Sequence, residues 1–131
     1  MIGLDTNVLV RYLTQDDPEQ ALRANRLIES SCTGKDPGRI SLMVLCELVW
    51  VLRGAYGYQK SLVINALEQI LFTRELEVEN AHIAASALFA YKKGPADFSD
   101  YIIVFSNRAA GCEWTCSFDK KLVKHPLVRT P

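Results

Sequence analysis

The sequence is poor in structure breakers and in repetition: 7 glycines and 5 prolines in 131 residues, with no internal repeat, low-complexity tract or linker. A disordered or fibrous chain is thereby excluded. No apolar stretch approaches the ~20 residues that a membrane span requires. The opening Met1-Ile2-Gly3-Leu4-Asp5 lacks a basic region, a long apolar region and a cleavage site, so it does not read as a signal peptide. Cysteine is scarce at four. Cys112 and Cys116 are spaced C-x₃-C with neither a second pair nor a metal-spaced histidine pair, which argues against zinc. With Cys32 and Cys46 they lie in apolar or amphipathic segments, and reduced, buried thiols of a cytosolic protein are expected. A glycine-rich phosphate loop and a Ser/His/Asp arrangement are also missing. His82 and His125 stand alone, one before an Ala-rich stretch and one in a basic tail, and read as incidental.

What is present is an ordinary globular composition, 49% hydrophobic and 23% charged, in a length that suits one domain over residues 1–131. The 15 basic and 15 acidic residues cancel, but unevenly. Residues 101–131 hold five basic side chains (Arg108, Lys120, Lys121, Lys124, Arg129) against Glu113 and Asp119. Such a tail suits a nucleic-acid partner, and equally a plain solvated face.

Strand and helix patterns alternate. Met1–Leu4 reads as a short strand ending at Asp5, and Asn7–Leu13 as a short helix. Pro18 opens a helix to about Ser30, with Ala21, Ala24, Leu27 and Ile28 at helical spacing. Residues 33–38 form a loop and Arg39–Ser41 a second strand. Helices are expected over Leu42–Tyr56, stopped by Gly57, and over Ser61–Phe72, with a third strand at Leu76–Val78. Two more helices, Ala81–Tyr91 and Asp97–Gly111, precede a fourth strand at Glu113–Ser117 and a basic end. The alternation predicts an α/β fold, three layers deep, with a short parallel sheet of four to five strands covered on both faces. Ligands of such folds sit outside the carboxyl ends of the strands.

Four acids fall at the expected strand-to-helix junctions. Asp5 ends the first strand, where a helix N-cap is the ordinary role. Glu47 is the only acid between Asp36 and Glu68. Leu45, Leu48, Val49, Leu52 and Tyr56 share one face of its helix, while Met43, Val44, Trp50 and Val51 surround its own direction. An all-round apolar helix is expected to be buried, and a buried carboxylate needs a cation or an ion-pair partner. Asp97 and Asp100 head the last helix in a capping-box pattern. Asp119 follows the fourth strand, where a cap or turn is the ordinary role.

The run Leu4-Asp5-Thr6-Asn7-Val8-Leu9 resembles the first motif of PIN-domain ribonucleases, especially the VapC-type toxins of toxin–antitoxin pairs. Glu47, the segment Ala96-Asp97-Phe98-Ser99-Asp100-Tyr101-Ile102-Ile103, and Ser117-Phe118-Asp119 match the remaining motifs in order and approximate spacing. The last motif usually has Thr where Ser117 stands, which keeps the hydroxyl. The resemblance spans essentially the whole chain. It implies a PIN-like fold and a Mg²⁺- or Mn²⁺-dependent ribonuclease, with Asp5, Glu47, Asp100 and Asp119 as catalytic acids and metal ligands. Asp5 and Asp100 are the principal ligands in this reading, and Asp97 is an auxiliary acid. All-oxygen ligands suit those hard cations. Water, deprotonated with a carboxylate's help, would attack phosphorus in line while the cation neutralises the phosphoryl oxygens. Thr6, Asn7 and Ser117 are candidate supporting or phosphate contacts, and Arg108, Lys120 and Lys121 candidate contacts to the RNA backbone. The resemblance further implies a cognate antitoxin and a homodimer. The amphipathic Ser61–Phe72 (Val63, Leu67, Ile70, Leu71) fits a docking groove and ordinary core packing equally well. Competing readings are a PIN nuclease of RNA processing and a non-catalytic RNA-binding module. A phosphatase with Asp5 as nucleophile is disfavoured, because Asn7 stands where a second Asp is needed.

Overall fold

The computed structural model describes all 131 residues, and the chain forms two compact units, Met1–Glu79 and Asn80–Pro131. In the first, three short strands alternate with helices: β1 (Ile2–Gly3), α1 (Thr6–Thr14), α2 (Pro18–Arg26), β2 (Gly38–Ile40), α3 (Leu42–Gly54), α4 (Lys60–Phe72) and β3 (Leu76–Val78). The strands pair in the order β1-β2-β3, all parallel, with Ile2 opposite Gly38 and Ile40 opposite Val78. Parallel neighbours need long crossovers, and the helices supply them.

Local chemistry sets the boundaries. Pro18 occupies the first turn of α2, while the Asp17 carboxylate accepts the Gln20 N–H at 3.0 Å. The last turn of that segment widens into a π turn at Leu27–Ser31. Ser41 caps α3 by accepting the Val44 N–H at 3.2 Å. After α3 the chain turns through Gly57, whose φ of +62° suits glycine. Leu45, Leu48, Val49 and Leu52 of α3 are buried, as are Val63, Leu67 and Ile70 of α4. Each such side chain contributes about 1.5–3 kcal/mol of burial free energy. The apolar stripe of α4 is therefore core, and its exposed apolar residues are Leu62 and Phe72.

In the second unit α5 (Ala81–Lys93) and α6 (Phe98–Ala109) pack as a helical hairpin. Ala84, Ala87 and Ala90 give α5 a narrow buried face, and Tyr91 meets Phe98 edge-on at 5.9 Å. The turn between the helices is tight. A Cβ on Gly94 would overlap the Tyr101 hydroxyl, and that hydroxyl accepts the Ala96 N–H at 3.3 Å. β4 (Thr115–Cys116) pairs in parallel with β5 (Val128–Arg129), and a 3₁₀ turn lies between them at Leu122–Lys124.

Two expectations change. In place of one sheet of four to five strands there are two, of three and of two. Three of the five strands are two residues long, and such strands exist only through their partners' hydrogen bonds, so pattern cannot assign them to a sheet. All four cysteines are free, but only Cys32 and Cys46 are buried; Cys112 and Cys116 are exposed. No helix is long and apolar enough to cross a membrane.

Candidate active site

In the first unit, Asp5 occupies the N-cap of α1 with extended backbone (φ −83°, ψ 162°), and its carbonyl accepts the Val8 N–H at 3.1 Å. Its exposed carboxylate makes no capping bond. The ordinary role for an Asp at that position is left unfilled, and the side chain is available to a ligand. Thr6 is the one buried polar residue of the chain. Its hydroxyl donates to Glu47 Oε2 at 3.2 Å, across 41 residues of sequence, and joins α1 to α3.

Glu47 stands in the second turn of α3 and is half-buried. The fully apolar surroundings expected for it are not found. Met43 and Trp50, one turn to either side, are 64% and 54% exposed. The apolar stripe around this acid is a surface, so water reaches the carboxylate. Asn7 is exposed and lines a groove of about 630 Å³ with Val8, Arg11, Gln20, Arg23, Ala24 and Leu27. Neither Asp5 nor Glu47 lines it, so concavity does not mark the acids. Arg11 is already engaged there by Asp16 at 3.0 Å, Gln20 at 2.7 Å and the Tyr56 hydroxyl at 2.9 Å.

In the second unit, Asp97 is the N-cap of α6 and Asp100 its third residue. The Asp100 carboxylate accepts the Asp97 N–H at 3.3 Å, the half of a capping box that rests on it. Partial burial pushes the Asp100 carboxyl above its ordinary value; the Asp97 N–H opposes this, and the neighbouring charges of Asp119 and Asp97 add to it. Asp119 closes an Asx-type turn, its Oδ1 accepting the Lys121 N–H at 2.8 Å and the Leu122 N–H at 3.3 Å. Those bonds leave Oδ2 without a protein partner. Ser117 Oγ accepts the Asp119 N–H at 3.0 Å and fixes the acid's backbone. Arg108, Lys120 and Lys121 are exposed.

Asp5 and Asp119 thus follow strands, whereas Glu47 lies inside a helix and Asp100 follows the α5–α6 turn. Within the units the structure joins Thr6 to Glu47, Ser117 to Asp119, and Asp100 to Asp97 and Asp119. Glu79, passed over in the sequence, also follows a strand. The Leu42 N–H donates to its carboxylate at 3.1 Å and Arg39 stands 4.0 Å away, so it anchors α3.

The donor set fits a hard cation. Burial, and after it the charges of Asp119 and Asp97, raise the Asp100 carboxyl, a positive ion would relieve that repulsion, and the acids offer only oxygen. Cys46, next to Glu47, is a buried thiol pushed up to about 11 by desolvation, hence no thiolate ligand. No three His, Cys, Asp or Glu side chains stand closely enough together to hold a metal ion.

No curated protein and no solved structure matches the chain. The model of the PIN domain, a family of nuclease modules that are typically metal-dependent, matches residues 2–126 and so runs through both units and all the acids described above. The chain belongs to the PIN domain family.

Proposed function

We propose that the chain is a Mg²⁺- or Mn²⁺-dependent ribonuclease with Asp5, Glu47, Asp100 and Asp119 as its catalytic acids. The observation that carries this reading is Asp5, an exposed carboxylate after β1 that makes no capping bond, in a chain whose residues 2–126 match the PIN model. A carboxylate that fills no cap is open to a cation. Asp100 is held part-buried at a helix start beside Asp97 and Asp119, with its carboxyl raised by burial and by their charge.

Asp5 and Asp100 would be the principal ligands, with Asp97 auxiliary. The bound cation supplies charge neutralisation at the phosphoryl oxygens and acidifies water. Glu47, held by the Thr6 hydroxyl, and Asp119, held by backbone donors and Ser117, complete the site or orient the attacking water and take its proton. Asn7, Arg108, Lys120 and Lys121 contact the RNA strand in this reading.

The motif Leu4–Leu9 supports a narrower assignment, the toxin half of a toxin–antitoxin pair. A cognate antitoxin would then restrain a cytosolic nuclease that works as a homodimer. The four free thiols fit a reducing compartment.

The test is cleavage of RNA with Mg²⁺ or Mn²⁺, with and without chelator. Cleavage is expected to stop with chelator and to be lost in Asp5→Asn and Asp100→Asn proteins. Unchanged cleavage by both variants would sink the mechanism.

A further inference from the structure

The second unit carries exposed aromatic and cationic groups that the hydrolytic acids do not use. Phe118 directly precedes Asp119 and is 82% exposed. Its backbone is nevertheless held on both sides. The Ser117 N–H donates to the Arg129 carbonyl at 3.0 Å, and the Asp119 N–H donates to Ser117 Oγ at 3.0 Å. The ring is therefore presented by a hydrogen-bonded turn. At the other end of β4, Trp114 is 41% exposed, and the Arg129 guanidinium lies 4.1 Å from its ring centroid. A flat cation stacked on one ring face widens the planar surface and keeps its charge available.

None of Lys120, Lys121, Lys124 and Arg129 has a carboxylate partner. Free aromatic faces together with unpaired cations are what an unpaired nucleotide strand recognises: bases stack on the rings, and phosphates meet the lysines. A duplex hides its base faces and gains only the phosphate contacts. A second copy of this chain would bring the same unpaired cations against themselves, so the charge favours an anionic occupant.

We infer that Phe118 and the Trp114–Arg129 pair form a base-stacking subsite that holds unpaired bases of an RNA strand beside Asp119, with Lys120, Lys121 and Lys124 on its phosphates. The identity of the strand as RNA rests on the ribonuclease reading. The stacking itself does not.

The test measures binding in the Asp100→Asn protein with chelator present, so that nothing is cleaved. The probe is a short single-stranded RNA carrying 2-aminopurine, compared with the same sequence as a duplex. A Trp50→Phe background makes Trp114 the only tryptophan reporter. The single strand is expected to quench Trp114, and Phe118→Ala and Trp114→Ala are each expected to weaken binding about tenfold. Phe118→Tyr should bind like the parent and Phe118→Leu like the alanine variant, because apolar area without a π face is not enough. Phe72→Ala, an equally exposed phenylalanine of the first unit, should change nothing. The inference is overturned if both alanine variants bind within twofold of the parent, or if duplex binds as well as single strand. It is also overturned if Phe118→Ala abolishes self-association in sedimentation while RNA affinity stays put, which would assign the ring to a contact between copies. Wild-type protein that binds the strand but never cleaves it overturns the nuclease reading and supports the subsite. An active enzyme whose alanine variants bind normally overturns the subsite alone.

Discussion

The two units differ in how their charged side chains are engaged. In the first, two arginines are tied to acids, Arg11 to Asp16, and Arg39 to Glu77 at 3.1 Å and Glu79 at 4.0 Å, while Arg23, Arg26 and Arg74 have no carboxylate partner. Its two candidate catalytic acids are kept apart from these pairs, and Glu47 takes a neutral hydroxyl from Thr6. In the second unit the cations of the tail have no carboxylate partner, and the Asp100 carboxyl is raised by burial and by the charges of Asp119 and Asp97. Surface ion pairs contribute little to stability, and leaving charges unpaired costs little. The first unit reads as a scaffold that positions two acids. The second reads as the part that meets the strand.

The largest effect that would sharpen this contrast is loss of chemistry. Asp100→Asn should lower the single-turnover cleavage rate by about 10²–10³-fold, with the fold kept by circular dichroism. A fall of less than tenfold would reduce the acid cluster to a helix cap. Next comes the positioning role of Thr6. Thr6→Val should cost roughly 1 kcal/mol in urea unfolding and slow cleavage about tenfold by freeing Glu47, and Thr6→Ser should restore both. If valine lowers stability alone, the hydroxyl is merely structural.

Smaller effects are set by pH. The Asp16 carboxyl is lowered to about 2, first by the Tyr56 hydroxyl and then by Thr14 and Arg11. A carboxyl depressed in the folded state contributes stability above its ordinary value of 3.8 that is lost as pH falls through about 2. Acid unfolding followed by Trp50 in a Trp114→Phe protein should therefore steepen below about pH 4, and Asp16→Asn should flatten that slope. The smallest effect belongs to His125, which burial holds below its ordinary 6.5 against the rings of Tyr101 and Phe105, its Nδ1 accepting the Leu127 N–H at 3.1 Å. The folded state prefers the neutral ring, so its contribution is full above pH 6.5 and erodes below. Trp114 fluorescence in a Trp50→Phe protein should show that erosion, and a His125→Leu variant should not.

Much of the fold was legible in the sequence because its signals are local. Pro18 and Asp17 set the start of α2, Ser41 that of α3, and the Leu45/Leu48/Leu52 spacing its buried face. The partition of strands between two sheets was not legible, and β5 was missed, since Val128 and Arg129 show no period of their own. The candidate acids stand out by position and motif, but their surroundings differ from what the sequence suggests. The apolar residues around Glu47 promised burial, yet Met43 and Trp50 face solvent, because hydrophobicity alone does not distinguish a core face from a surface one. For the same reason Cys112 and Cys116 were expected inside. Phe118 passed as part of a motif; only its exposure shows it as a free ring.

The central proposal is that Glu47 and Asp100 both serve RNA hydrolysis. It is tested most directly by single-turnover RNA cleavage in Glu47→Gln, Asp100→Asn and the double variant. Groups that act as a unit are not additive, so the double variant should be no slower than the worse single variant, within about threefold. A double variant slowed by the product of the two single effects would contradict the account.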